Sequence, residues 1–151
     1  MRVYIVSSWR NAETIRKMAD YLRLRGMEVD DFTDSRGGER YVFDRYVFDA
    51  RGCGLENADA MEFLRDERVQ RAFAEDKRGL DWAEGVLLIL PAGRSAHLEA
   101  GYAVGKGKKL VILGEFPPGE YDTMYGFADL LTRDPVEAAD CLLAVHNERQ
   151  A

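Results

Sequence analysis

Apolar residues along the chain fall into short blocks separated by polar stretches, and the spacing within the blocks changes in a regular way. Arg2 to Ser7 reads as a buried first strand that ends in small polar residues. Asn11 is positioned to cap a following helix, in which Ile15, Met18, Ala19 and Leu22 recur at helical spacing and which Gly26 ends. Met27 to Phe32 predicts a second short strand. A polar segment rich in Asp, Arg and Gly comes next and contains the near-duplication RYVFDRYVFD at Arg40 to Asp49, too short for a repeat architecture. From Asn57 to Trp82 the pattern is again helical, with a break expected near Arg65 to Arg68. GVLLILP at 85 to 91 is almost wholly apolar, as expected of a strand buried on both faces of a parallel sheet. A helix from Ser95 to Lys106, a strand LVIL at 110 to 113 and a loop with Pro117, Pro118 and Gly119 follow. DLLT predicts a last strand, and Asp134-Pro135 opens a helix running to His146, with Asp as N-cap and Pro at the first helical position.

Strands that alternate with helices imply right-handed crossovers and parallel pairing. The predicted fold is a three-layer, doubly wound α/β domain of the flavodoxin or Rossmann kind. It has a five-stranded parallel sheet in the order 2-1-3-4-5, and the whole chain, 1–151, forms one domain. In that order the topological switch lies between the first and third strands, and ligands bind beyond their C-terminal ends. Two segments then face one crevice, SSWRN at 7 to 11 and PAGRSAHLE at 91 to 99.

Composition narrows the ligand. A chain of 151 residues fits one domain. Its longest apolar run, Val86 to Leu90, is far too short to span a bilayer. Met1-Arg2 leads straight into a strand-like VYIV rather than a secretory signal, so a cytoplasmic location is expected. A net charge of −6, with 21 dispersed Lys and Arg, argues against nucleic acid as partner. Cys53 and Cys141 stand far apart and read as free thiols, and two histidines make a multi-histidine metal centre improbable. A small molecule is the expected ligand.

Ser7, Ser8, Arg10 and Asn11 lie between a strand and a helix N-terminus, where free amides favour an anion and Arg10 adds a charged contact. They suit a phosphate, or form a polar turn in which Asn11 only caps the helix. The segment LPAGRSAHLEAGYAVGKGKKLVIL combines a strand exit, a Gly93 turn, a Ser95 cap and a helix with Glu99 in its first turn. Leu98, Tyr102 and Gly105 are expected to face the core with Gly101, whose missing side chain lets the helix approach the sheet. Glu99 is rotated about 100° from Leu98 toward the crevice. It reads either as a functional carboxylate or as a solvated acid favoured by the helix dipole. His97 either bonds a sugar or phosphate or caps the helix. YVFDRYVFD reads as a packed or interface aromatic cluster or as a pocket lid. Lys106, Lys108 and Lys109 read as a solvated basic turn.

On these residues the chain resembles the nucleoside 2-deoxyribosyltransferases and their relatives that hydrolyse deoxynucleoside monophosphates or cytidine monophosphate. The resemblance rests on the opening VYIVSSWRN, on EDKRGLDWAEGVLLIL around Asp76, and above all on GRSAHLEAGYAVGKGKKLVIL. There Glu99, Gly101 and Ala103 match the family's ExGxA helix. It implies Glu99 as nucleophile and Asp76, or less favourably Asp81, as the acid that binds or protonates the base. In the same way Ser8 and Arg10 match the Ser and Arg that hold a 5′-phosphate. The loop positions themselves add Ser7, Gly93, Arg94, Ser95 and His97 to the expected substrate-binding set. It further implies a homo-oligomer, expected as a dimer, with no organic cofactor and no metal. The family's Pro-Asp-x-Gly element is replaced by PAGRSAHLE, and the only late asparagine is Asn147, which leaves open whether water or a second base accepts the sugar. The alternative is a non-catalytic nucleotide-binding module on the same fold.

Overall fold

The computed structural model describes residues 1–33 and 59–144, which fall into two compact units, one of residues 1–33 and 80–144 and a second of residues 59–79. The first unit holds a five-stranded parallel sheet in the order β2-β1-β3-β4-β5. Its strands are β1 (Arg2–Val6), β2 (Glu28–Asp31), β3 (Gly85–Ile89), β4 (Lys109–Leu113) and β5 (Leu130–Thr132). The helices are α1 (Ala12–Leu24), α2 (Ala60–Arg65), α3 (Glu67–Trp82), α4 (Arg94–Gly105) and α5 (Pro135–Leu143). The predicted doubly wound order is the one observed.

Parity along the strands builds the three layers. Val3, Ile5, Leu87, Ile89, Val111 and Leu113 face one side, where Ile15, Met18, Ala19 and Leu22 of α1 and Ala138, Ala139 and Leu142 of α5 cover them. Tyr4, Val6, Val86, Leu88, Leu110 and Ile112 face the other, against Leu80 and Ala83 and against Ala96, Ala100 and Ala103 of α4. Successive side chains of a strand point to opposite faces, so a central strand covered by helices on both sides must be apolar at every position. β3 and β4 are buried throughout. Val3 pairs with Glu84's neighbour Gly85, where a Cβ would come within 2.6 Å of Met1 Cε and 3.3 Å of Leu142 Cδ2, so no larger residue fits without displacement.

Several boundaries differ from the sequence expectation. β2 is confined to Glu28–Asp31, because Met27 turns into the core and Phe32 leaves the ladder to meet Trp9 edge-on at 4.9 Å. Gly26 closes α1 at φ +83°, a conformation glycine adopts without a Cβ penalty. The expected break in the long helical stretch falls at Asp66, between α2 and α3, and Asp59 caps α2 with a reciprocal capping box to Glu62. Asp134 caps α5 through Val136 N, and that helix ends at Leu143. Asn57, Cys53, the RYVFDRYVFD segment, His146 and Asn147 lie outside the described residues.

The basic turn is not wholly solvated. Lys109 is 6% exposed and its Nζ donates to the carbonyls of Cys141, at 2.7 Å, and Ala144, at 2.5 Å, satisfying the C-terminal end of α5. Lys108 reaches the carbonyls of Asp81 and Ala83, and its burial lowers the ammonium pKa. Lys106 alone stays outward, its ammonium 5.6 Å from the Tyr102 ring.

Candidate active site

Beyond the C-terminal ends of β1 and β3, the two loops expected to share a crevice are joined to each other. Ser7 Oγ donates to Ile89 O at 2.7 Å, and Asn11 Nδ2 donates to Ser7 Oγ at 2.9 Å and to Pro91 O at 2.6 Å. Asn11 does not cap α1 with its side chain. The cap lies earlier. A 3-10 turn, Trp9–Asn11, precedes α1, and Ser8 caps it by accepting from Arg10 N at 3.3 Å. Arg10 is exposed on this turn and Ser8 is half-buried.

The start of α4 also differs from expectation. Gly93 is the N-cap, with no side-chain capping bond, so Arg94 is the first helical residue and Ser95 the second. Glu99 therefore stands sixth, in the second turn, and the first turn holds no acid. All of Gly93, Arg94 and Ser95 are exposed at the helix entrance.

The phase of the helix is set by alanines. Ala96, Ala100 and Ala103 are buried against the sheet, whereas Leu98 is 76% exposed. The expectation that the Leu98 face meets the core is thus overturned: small side chains at positions four and three apart let the backbone approach β3 and β4 more closely than a leucine would allow. Gly101 is exposed, and a Cβ there would meet no atom within 4 Å, so its lack of a side chain is not what admits the helix. At 100° per residue, Glu99 lies about 60° from the centre of the alanine face. It is half-buried at the edge of the helix–sheet contact.

His97 has two protein partners. Its Nδ1 is 2.7 Å from Gly93 O and its Nε2 is 3.0 Å from the Tyr125 hydroxyl. A carbonyl only accepts, so Nδ1 carries a proton, and in the neutral ring Nε2 then accepts from the Tyr125 hydroxyl. The two rings stack with centroids 5.8 Å apart and 11° between planes, and Phe116 meets Tyr125 edge-on. Burial, with the Asp122 charge adding to it, raises the Tyr125 pKa. Tyr125 is a residue that the spacing of the sequence does not reveal, since its partner stands 28 positions away. The His97 ring ties the helix entrance to the Thr123–Phe127 turn.

Both candidate acids stand on α3. Asp81 stands before β3, at the N-terminal edge of the strands, and accepts from the Tyr102 hydroxyl at 2.5 Å. It is thereby removed from the C-terminal edge where ligands bind in such sheets. Asp76 is half-buried on α3, within the second unit. Among the described residues no group of three or more His, Cys, Asp or Glu could hold a metal ion. None of the described helices is long and apolar enough to cross a membrane.

No family model matches the chain, and no curated protein matches its sequence. Solved structures do. A 2-deoxyribosyltransferase from Bacillus psychrosaccharolyticus superposes with a TM-score of 0.58 at 15% identity, over 97% of this chain and 93% of that one. The fold is similar to that of a 2-deoxyribosyltransferase. A conserved protein from Enterococcus faecalis V583 gives 0.59 at 12% identity, over 94% and 96% of the two chains. The CMP N-glycosidase BcmB of Clostridium botulinum gives 0.50 at 15% identity, over 94% and 98%. The likeness extends over nearly the full length in each case, and it is one of fold, as the sequence resemblance led us to expect.

Proposed function

We propose that this chain cleaves or transfers the N-glycosidic bond of a nucleoside or its 5′-monophosphate through a covalent glycosyl-Glu99 intermediate. The observation that carries the reading is the position of Glu99. It is a half-buried carboxylate on the helix that leaves the topological switch, the turn before that helix is bonded through Pro91 to the loop bearing Ser8 and Arg10, and the fold is similar to those of two proteins named for this chemistry.

In the first step a Glu99 carboxylate oxygen bonds to C1′ as the C1′–N bond breaks. The base leaves with the bonding pair and takes a proton from an acid. The sugar passes through an oxocarbenium-like state, as in retaining glycosidases. In the second step water, or a second base, gives a proton to the conjugate base of that acid and bonds to C1′ as the C1′–O bond to Glu99 breaks, restoring both carboxyl groups. We assign the acid to Asp76, on the family resemblance. Arg10, with Ser8, binds a 5′-phosphate, and Arg94 supplies a further cation at the α4 entrance. Ser7 and His97 act through the contacts that shape the two loops, and Gly93 and Ser95 line the entrance of α4. Carboxylates and a proton suffice for both steps, so the proposal calls for no metal or organic cofactor. A cytoplasmic homodimer acting on small nucleosides or nucleotides, rather than on nucleic acid, completes the reading.

Incubating the protein with a panel of nucleosides and their monophosphates, with and without a second free base, and following base release by chromatography tests the proposal. Release from at least one member supports it. Tight binding without release would identify a nucleotide-binding module instead and overturn the catalytic claim.

A further inference from the structure

Asn11 ends the 3-10 turn before α1, where an asparagine ordinarily accepts amide hydrogens through its side-chain oxygen. Here it forms no such capping bond. Its amide nitrogen instead reaches Ser7 Oγ at 2.9 Å and Pro91 O at 2.6 Å, and Ser7 Oγ reaches Ile89 O at 2.7 Å. The direction of every bond in this chain is determined. The carbonyls of Ile89 and Pro91 only accept. Ser7 gives its proton to Ile89 and so presents a lone pair to Asn11, which needs both of its amide hydrogens to serve two acceptors. A carboxylate at the same place would supply none. Pro91 in turn precedes by two residues the Gly93 cap from which α4, and with it Glu99, begins.

We infer that Asn11 is a positioning residue: its side-chain amide latches the β3–α4 turn to the loop after β1, fixing where the helix that carries Glu99 starts. The functional half of this inference rests on Glu99 being the nucleophile. The latch itself does not. Displacement of a reacting group by about 1 Å can cost on the order of 10²-fold in rate, so a loosened turn lowers turnover more than binding.

Asn11→Ala and Asn11→Asp separate the latch from a helix cap. Aspartate caps a helix as well as asparagine does, but it cannot donate to Pro91 O or Ser7 Oγ. We expect both variants to keep a folded core and to speed amide hydrogen exchange at residues 92–97 by about tenfold or more, with β1 amides unchanged. On a substrate found in the panel, kcat should fall about tenfold or more while KM changes less than about threefold. Ser7→Ala, which removes one of the two acceptors, should give a smaller effect than Asn11→Ala, and the Ser7→Ala/Asn11→Ala double variant should lose less than the two single effects added, because both remove the same Asn11–Ser7 bond. An Asn11→Asp protein indistinguishable from wild type in exchange and kcat overturns the inference. So does unchanged exchange at 92–97 in Asn11→Ala, whatever the activity. Faster exchange in a protein whose wild type releases no base supports the latch and refutes the N-glycosidic reading instead.

Discussion

Truncating Glu99 to alanine separates the proposed chemistry from the fold. The face of α4 that meets the sheet consists of Ala96, Ala100 and Ala103, exposed by 2%, 4% and 0%, and Glu99 sits at its edge. The site is half-buried and open to solvent, so truncation leaves no sealed cavity, and alanine adds a few tenths of a kcal/mol of helix propensity. The net change in stability should stay within about 1 kcal/mol, which for a domain of this size moves Tm by no more than about 4 °C. Turnover is another matter. Without a nucleophile the covalent route is closed, and water must attack C1′ directly with the base still attached. A rate loss of about 10³-fold, equivalent to about 4 kcal/mol of barrier, is expected. Base release from the best panel substrate, measured beside a circular dichroism melt, provides both numbers. A variant that melts with the wild type and keeps more than about a tenth of its rate would refute Glu99 as nucleophile and, with it, the mechanism.

Arg10→Ala should weaken the use of 5′-monophosphates while leaving nucleosides nearly untouched, and equal losses on both would sink the phosphate assignment. Lys109→Met removes two charged hydrogen bonds to the C-terminal carbonyls of α5 and should cost about 1–3 kcal/mol, read as a lower urea midpoint at unchanged slope; an unchanged midpoint would show these contacts to be energetically idle. The Glu84 carboxyl has a pKa held below the ordinary 4.5, chiefly by the Arg2 backbone N–H that it accepts. Its contribution to stability is therefore complete above pH 4.5 and is lost as pH falls through the lowered value. Glu84→Gln should flatten that acid limb, and an identical pH profile would refute the assignment. Light scattering after size exclusion should report a dimer rather than the 17.1 kDa monomer, with Leu98, Met124 and Phe127, exposed by 76%, 59% and 55%, as the apolar surface to cover; a fully active monomer would refute it.

The sheet was legible because a doubly covered parallel strand has few alternatives. GVLLI and LVIL, apolar at every position, announce burial on both faces, and the spacing of Ile15, Met18, Ala19 and Leu22 marks one stripe of α1. Boundaries were less legible because hydrophobicity reports burial rather than backbone pairing. Met27 is 4% exposed and Phe32 packs against the core, yet neither belongs to β2. Lys109 was misread for the converse reason. A lysine can lie buried in a strand when carbonyls at a helix end receive its ammonium, and nothing near it in sequence predicts that α5 finishes there.

The site depended on the frame of one helix, and the error in that frame bears on the chemistry. Reading Ser95 as the cap put Glu99 in the first turn, where an acid has an ordinary explanation: it is stabilised by the positive end of the helix dipole. That effect fades beyond the first turn. With Gly93 as the cap, Glu99 stands in the second turn, past the range of the effect, on the rim of a face made of alanines. The serine misled because it is a favoured cap, whereas what fixes the entrance is spatial: the Gly93 carbonyl binds the His97 ring, and Pro91, two residues before it, is held by Asn11. Leucine misled for a similar reason, since Leu98 looks like core and the alanines do not. Capture of a sugar carbon by this half-buried acid, on the helix that follows the switch-point strand, is the role we propose.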